Sequence, residues 1–203
     1  VSTMADEICR ELLPLTDVPF AFYGHCMGAI LMYEVAVRLR DRGHEPAHLF
    51  VGGAMAPHLY QSALLHEQPE PKFLDVLQLL DFTGTRALLE DDEMRRLLVP
   101  TLRADFEAVA TYGRDFSRRA PLSCPITGFA AKRDLFAAPS SMTAWREYST
   151  GPFALHLLDV HHYFVETHRT YLARTVAAAV AHDLGRSDVG RLRAGAAEFA
   201  HLA

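Results

Sequence analysis

The chain has 203 residues, of which 50% are hydrophobic and 22% are charged, so it can bury one good core but hardly two. Its 20 Lys and Arg residues against 25 Asp and Glu residues give a formal net charge of -5. This balance argues against a nucleic-acid partner, because gripping a phosphate backbone needs a broad cationic surface. The longest apolar stretches, such as residues 175–181, are far shorter than the roughly 20 residues that cross a bilayer, which argues against a membrane protein.

The cysteines and the first residues favour a protein of the cytoplasm. Cys9, Cys26 and Cys124 lie far apart and form no CxxC pair, so neither a disulfide framework nor a zinc site is predicted. Residues 1–7 lack the basic flank followed by an apolar block that marks a secretion signal. We therefore expect a cytoplasmic setting.

The first part of the chain alternates strand and helix patterns. In chain order, apolar spacing predicts a helix over residues 6–13, a buried strand over 18–23, a helix over 29–43 and a strand over 48–53. Charged and apolar residues of the second helix indicate one charged and one apolar face. The order strand, helix, strand is typical of a parallel sheet, so we expect an α/β fold.

Strand patterns vanish between Pro57 and Pro121, where helices are predicted over residues 72–80, 85–89, 92–98 and 102–112. We interpret residues of about 60–120 as an inserted helical block. Strands are predicted again over 125–130 and 153–158, with helices over 141–148 and 164–184. The expected organisation is a single domain over residues 1–185, followed by a charged, Ala-rich tail over 186–203.

The pentapeptide Gly24-His25-Cys26-Met27-Gly28 stands between a predicted strand and the helix that follows it. A cysteine between glycines at this place has the form of a nucleophile elbow, in which the nucleophile adopts strained backbone angles. Gly24 and Gly28 would let the helix pack close to the strand. The N–H groups at the helix start favour an anionic thiolate, and the Met27 N–H would point toward a developing oxyanion. The alternative is a tight turn that carries a buried structural cysteine.

A thiolate nucleophile needs an imidazole, and the imidazole needs a carboxylate to hold its tautomer. Asp134 follows one predicted strand by a short loop, and His162 follows the next strand in the same way. The chain order nucleophile, acid, base is that of the α/β-hydrolase fold. Asp134 could instead pair with Lys132 or Arg133, and the adjacent His161 is a second candidate for the base. We prefer Asp134 and His162, since the loop after the earlier strand contains no acid.

Further segments join the pentapeptide in resembling a known family. They read Phe20-Ala21-Phe22-Tyr23-Gly24-His25-Cys26-Met27-Gly28-Ala29, Tyr33-Glu34-Val35-Ala36, Leu98-Val99-Pro100-Thr101-Leu102-Arg103-Ala104-Asp105-Phe106, Cys124-Pro125-Ile126-Thr127, Trp145-Arg146 and His162-Tyr163-Phe164. Over residues 8–184 the chain thus resembles the type II thioesterases of polyketide and nonribosomal peptide assembly lines, in the α/β-hydrolase superfamily. The resemblance implies an α/β-hydrolase fold with a mostly parallel sheet and the inserted block as a helical lid. The chain begins after the family's first strands and after the Gly-rich segment that supplies a second oxyanion N–H, so we expect those strands to be absent here.

The resemblance implies a role for each site residue. Cys26 would be the nucleophile, His162 the general base, Asp134 its orienting acid and Met27 the source of one oxyanion N–H. The substrate would be carried on the phosphopantetheine of an acyl or peptidyl carrier protein, with no metal or other cofactor in the enzyme. Two features depart from the family: cysteine replaces serine at position 26, and His161 stands where Gly or Asp is usual. A serine takes the acyl group as an oxyester, whereas a cysteine exchanges one thioester for another and keeps the acyl group activated.

Three functions are compatible with these residues. The first is an enzyme that takes an acyl, polyketide or peptidyl group onto Cys26 and hydrolyses or transfers it. The second is a cysteine-dependent cyclase, and the third is a degenerate module that only binds the carrier protein. Carrier proteins are acidic, so Arg38, Arg40 and Arg42 are candidates for a docking face, although such residues more often form a solvated helix face. The apolar residues of the inserted block, such as Phe73, Leu77 and Leu97, could line an acyl channel, but we expect most of them to pack in the core.

Overall fold

The computed structural model of the protein describes residues 1–60, 65–79, 91–115 and 119–185. Its strands are β1 (Ala21–His25), β2 (His48–Gly52), β3 (Ile126–Ala131) and β4 (Phe153–Leu158). Its helices are α1 (Ser2–Leu12), α2 (Met27–Arg40), α3 (Glu70–Leu79), α4 (Asp92–Asp115), α5 (Pro139–Thr143), α6 (Phe164–Thr167) and α7 (Arg169–Asp183). Short 3-10 turns occupy Leu13–Leu15, Pro57–Leu59, Leu65–Glu67 and Ala144–Tyr148. The predicted helix at 85–89 and the predicted tail at 186–203 lie outside the described residues.

The four strands form one parallel sheet in the order β1-β2-β3-β4. The α/β prediction is therefore confirmed. β1 begins at Ala21, later than predicted, because Pro19 has no N–H to donate to a ladder. Since all strands run the same way, their carboxyl ends meet at one edge of the sheet. The loops that follow these ends contain Cys26, Asp134 and His162.

Side chains of the central strands alternate between two cores on opposite faces of the sheet. On one face, Leu49 and Val51 belong to a cluster that includes residues of α2 and the fully buried Trp145. On the other face, Phe50 packs in a cluster with Leu172 of α7. Burying a side chain such as Phe50 stabilises the fold by roughly 1.5–3 kcal/mol. Helices therefore cover both faces of the sheet.

Helix α2 is covered on nearly every face, which contradicts the predicted solvated charged face. Helix α1 packs onto it through Cys9, in a cluster with Val35. Glu34 and Arg38 are only 5% and 6% exposed. The Arg38 guanidinium donates to the carboxylates of both Glu34 and Asp6. Buried charges need such pairing, so these residues form a buried ion-pair network where the spacing suggested contact with solvent.

Two helix boundaries differ from the sequence prediction for identifiable reasons. Helix α4 continues through Pro100, although a gap was predicted there. Pro100 is exposed, whereas the neighbouring Val99 is buried in a cluster with Phe73, so packing on the inner face holds the helix together despite the missing N–H. The predicted final helix is divided into α6 and α7 at His168, whose φ of -117° is not helical.

The inserted block contains α3 and α4, which pack against the loops at the carboxyl edge of the sheet. Arg103 of α4 lies over the Phe73 ring at 4.4 Å and donates to the carbonyl of Gln68 at 2.9 Å. The cluster around Phe73 also includes Phe136 and Tyr163, which flank Asp134 and His162 in the chain. Phe73 and Leu77 are fully buried, as predicted for most apolar residues of this block, whereas Leu97 is 66% exposed. No helix in the described ranges combines the length and hydropathy of a bilayer span.

Candidate active site

Cys26 joins β1 to α2 in a strained conformation. Its φ is 53°, the one positive value at a non-glycine position among the described residues. Such backbone strain costs on the order of 1–3 kcal/mol and persists where the surrounding structure holds it. The Cys26 N–H donates to the Gly52 carbonyl at 2.8 Å, which anchors the turn to β2. The Met27 N–H is at the first position of α2, where helical N–H groups lack acceptors within the helix and can stabilise an oxyanion.

The two glycines of the pentapeptide have different structural roles. A Cβ added to Gly24 would lie 2.2 Å from the Gly28 carbonyl oxygen, so β1 and α2 approach too closely for any side chain there. A Cβ added to Gly28 would meet nothing within 4 Å. Close packing therefore requires glycine at 24, as predicted, but does not require it at 28.

His162 and Asp134 form a buried hydrogen-bonded pair. Nδ1–H of His162 donates to Oδ2 of Asp134 at 2.7 Å, and their side chains are 3% and 0% exposed. Oδ1 of Asp134 accepts the N–H groups of Phe136 at 2.8 Å and Ala137 at 3.0 Å. Burial alone would raise the pKa of Asp134, but the contact with His162 and these N–H groups hold it below its ordinary value. The charged carboxylate thus fixes the tautomer and leaves Nε2 of His162 available.

Nε2 of His162 faces the Cys26 side of the site. Within the described residues this buried nitrogen makes no hydrogen bond of ordinary geometry. Burial would lower the pKa of His162, but the hydrogen bond to Asp134 and the neighbouring Cys26 sulfur raise it to about 9. At neutral pH this pKa keeps the His162 ring protonated on the Cys26 side of the site.

The neighbouring polar residues make contacts that leave this pair undisturbed. His161 is exposed. Arg133 donates to Asp159 at 3.0 Å, so Asp134 does not form the alternative ion pair with Arg133. The structure therefore brings together Asp134 and His162, and it keeps His161 outside the pair.

Two tyrosines that the sequence analysis did not single out lie beside the same site. Burial raises the pKa of Tyr60, and the charges of Cys26 and Asp134 raise it further. The pKa of Tyr163 is also raised, by burial and then by Cys26. Both hydroxyls therefore stay protonated and can donate hydrogen bonds. Tyr163 could have been suspected from its place directly after His162, whereas only the fold brings Tyr60 here.

The family model described as the thioesterase domain matches residues 1–180. The chain belongs to the thioesterase domain family. Among solved structures, this chain is similar to the RedJ thioesterase from the prodiginine biosynthetic pathway in Streptomyces coelicolor. That structure has a TM-score of 0.80 and 36% identity, over 88% of this chain and 70% of RedJ. The predicted α/β-hydrolase fold is thereby confirmed.

The curated relatives are longer than this chain. The chain is 33% identical over 184 residues to the protein named linear gramicidin dehydrogenase LgrE of Brevibacillus parabrevis, covering 89% of this chain and 69% of LgrE. It is 36% identical over 160 residues to the gramicidin S biosynthesis protein GrsT of Aneurinibacillus migulanus, covering 78% of this chain and 61% of GrsT. The chain thus spans roughly two thirds of the length of these relatives.

The arginines named as docking candidates lie far from the thiol. Arg38 and Arg40 are at the end of α2 opposite Cys26, about 20 Å away at 1.5 Å per residue, and Arg42 follows that end. Arg38 is buried in ion pairs, Arg40 donates to the Pro121 carbonyl at 3.0 Å, and Arg42 donates to the Arg38 carbonyl at 2.8 Å. Arg38 is therefore not available for docking, whereas Arg42 is exposed, so a docking face at this end of the helix stays a prediction.

A cavity elsewhere in the described part of the chain does not extend the candidate active site. A cavity of about 480 Å³ lies between α1, α2 and α4 and is lined in part by Glu34, Tyr112 and Arg119. Its lining does not include Cys26 or His162, so it is not a place for an acyl group on the thiol. In the part of the chain that the structure describes, no group of three His, Cys, Asp or Glu residues could hold a metal ion.

Proposed function

We propose that this thioesterase takes an acyl, polyketide or peptidyl group from the phosphopantetheine thioester of a carrier protein onto Cys26. The observation that supports it best is the buried pair of His162 and Asp134, joined by a hydrogen bond of 2.7 Å beside the strained elbow at Cys26. The similar proteins GrsT and RedJ are named for gramicidin S and prodiginine biosynthesis, and this supports an assembly-line carrier protein as the partner.

In the proposed first step, the Cys26 thiolate attacks the thioester carbonyl carbon and a new C–S bond forms. The Met27 N–H stabilises the oxyanion of the tetrahedral intermediate. When the bond to the pantetheine sulfur breaks, the leaving thiolate takes the proton from Nε2 of His162. This step exchanges one thioester for another, so the acyl group remains activated.

In the second step, neutral His162 accepts a proton from water, and the resulting hydroxide attacks the acyl carbon. The C–S bond to Cys26 breaks, the carboxylic acid leaves, and the thiolate and imidazolium are restored. An amine or alcohol in place of water would give acyl transfer by the same proton movements. No bound metal or organic cofactor takes part in this scheme.

Intact-mass spectrometry tests the proposal directly. After exposure to an acyl-phosphopantetheinyl carrier protein, the chain should gain the mass of the acyl group, and Cys26→Ala should prevent the gain. Cys124→Ala is the matched control, since Cys124 is buried and burial raises its pKa to about 12, so its thiol is unreactive. An adduct that survives Cys26→Ala would remove Cys26 from the mechanism.

Product analysis separates the remaining functions. A free acid indicates hydrolysis, an amide or ester indicates transfer, and a ring formed without an external acceptor indicates a cyclase. Binding of the carrier protein with no adduct in the wild-type chain would favour the degenerate module.

A further inference from the structure

His25, directly before Cys26 in the chain, contacts the backbone of His162, the proposed base. Its Nε2–H donates to the backbone carbonyl of His162 at 3.0 Å. The two imidazole rings lie 5.4 Å apart between centroids. His25 and His162 are 137 positions apart in the chain, so this bond links the elbow to the loop after β4.

The protonation of His25 is suited to this bond. Burial lowers its pKa to about 4, and the nearby charge of His162 contributes to the lowering. His25 is therefore neutral at physiological pH, with its proton on Nε2, because the partner is a carbonyl oxygen. Nδ1 lies 3.4 Å from the Tyr23 hydroxyl, whose pKa burial raises to about 12, so that hydroxyl can donate to Nδ1.

The backbone at Gly52 and Gly53 packs closely against the His25 ring. A Cβ on Gly52 would lie 2.9 Å from Nδ1, and a Cβ on Gly53 would lie 3.0 Å from Cε1. Gly53 has a φ of 55°, which glycine adopts without penalty. The edge of the Phe164 ring packs against His25 with centroids 4.7 Å apart. Residues of β1, of the loop after β2 and of α6 thus hold the ring.

The His162 loop depends on such an anchor. Before it, the Arg133 N–H binds the Val160 carbonyl at 3.1 Å, and after it the His168 N–H binds the Phe164 carbonyl at 2.8 Å. His162 lies between these two bonds in a turn outside any helix or strand. The bond from His25 secures the backbone of the residue that has to present Nε2 to Cys26.

We infer that His25 is a positioning residue that holds the His162 backbone, so that the imidazole keeps its place between Asp134 and Cys26. This inference rests on the proposed function of His162 as the base. His25 itself need not touch the acyl group. Its geometry predicts that activity requires a hydrogen-bond donor at the Nε2 position, and not an imidazole as such.

Three substitutions of His25 distinguish the role of its hydrogen-bond donor from the role of its ring. His25→Gln places an amide N–H near the position of Nε2, His25→Asn is too short to reach the His162 carbonyl, and His25→Phe keeps a ring without a donor. The pKa of His162 is measured in each variant by NMR titration of its ring. Turnover is measured with an acyl-pantetheine thioester, and denaturant unfolding reports the fraction folded.

In His25→Phe and His25→Asn, the pKa of His162 should fall from about 9 toward its ordinary 6.5. The kcat should fall by about 100-fold with little change in KM, which is the size of effect that a misplacement of about 1 Å produces. His25→Gln should retain the wild-type pKa of His162 and the wild-type kcat. If His25→Phe does not fold, the pair of Asn and Gln variants decides. An unchanged His162 pKa in His25→Asn, or an equal shift in His25→Gln, would overturn the inference. The NMR titration needs no acyl substrate, so it tests His25 even if the proposed reaction fails.

Discussion

Replacing Asp134 by Asn tests the charge that holds the proposed base. The amide keeps the side-chain size and one oxygen for the N–H groups of Phe136 and Ala137, but it removes a carboxylate 2.7 Å from Nδ1 of His162. The rise of the His162 pKa from 6.5 to about 9 corresponds to roughly 3 kcal/mol in favour of the imidazolium. Because Cys26 supplies part of this effect, we expect the pKa of His162 to fall by about 1–3 pH units in Asp134→Asn.

We expect kcat in Asp134→Asn to fall by more than the change in the His162 pKa alone would cause. An amide can donate to Nδ1 and stabilise the wrong tautomer, and this reduces kcat by about 10,000-fold in a comparable Asp-to-Asn change of a catalytic triad. The assays are NMR titration of the His162 ring and turnover of an acyl-pantetheine thioester. Asp159→Asn is the matched control, since Asp159 lies on the same sheet edge and pairs with Arg133 at 3.0 Å. Wild-type turnover and an unshifted His162 pKa in Asp134→Asn would refute the role given to Asp134.

Three further predictions concern the elbow and the imidazole. Gly24→Ala places a Cβ 2.2 Å from the Gly28 oxygen, so denaturant unfolding should show a loss of about 1–3 kcal/mol or more. Gly28→Ala should lose far less, and equal losses would contradict the close approach. Cys26→Gly relieves a φ of 53°, so it should be more stable than Cys26→Ala by about 1 kcal/mol while forming no acyl adduct, and the reverse order would contradict strain at the elbow. Because the folded-state pKa of His162 is raised from 6.5 to about 9, its stabilising contribution is complete below pH 6.5 and is lost as pH rises through about 9. The unfolding free energy of the wild type relative to His162→Gln should therefore decline over this range, and a difference independent of pH would count against the raised pKa.

The order of elements could be predicted because each depends on a local pattern. The four strands fall close to their predicted places, and Phe153–Leu158 has the predicted bounds. The site residues follow from the same logic, since a parallel sheet places the ends of its strands at one edge. Cys26, Asp134 and His162 come after three such ends, and this could be read without any knowledge of their contacts.

The errors involve contacts between segments that are distant in the chain. Glu34 and Arg38 have the spacing of a solvated face, and only the packing of α1 on α2 reveals that they are buried. Pro100 looked like a helix end because the packing of Val99 that preserves α4 is not a local property. The hydrogen bond from His25 to His162 also joins distant segments, so no local pattern predicts it.

The backbone hydrogen bonds of the sheet explain how three separate loops keep one geometry. Pairing continues past the strand ends: the Cys26 N–H binds the Gly52 carbonyl at 2.8 Å, and the Lys132 N–H binds the Leu158 carbonyl at 2.8 Å. The Arg133 N–H then binds the Val160 carbonyl at 3.1 Å, directly before Asp134. Each reacting group is therefore within two residues of a cross-strand bond, so its position is set by the register of the sheet and not by the loop alone. Strain at the elbow can persist because the bond from the Cys26 N–H to the Gly52 carbonyl continues the pairing of β1 with β2. A register change in β1, β3 or β4 would move the group that follows that strand away from the other two.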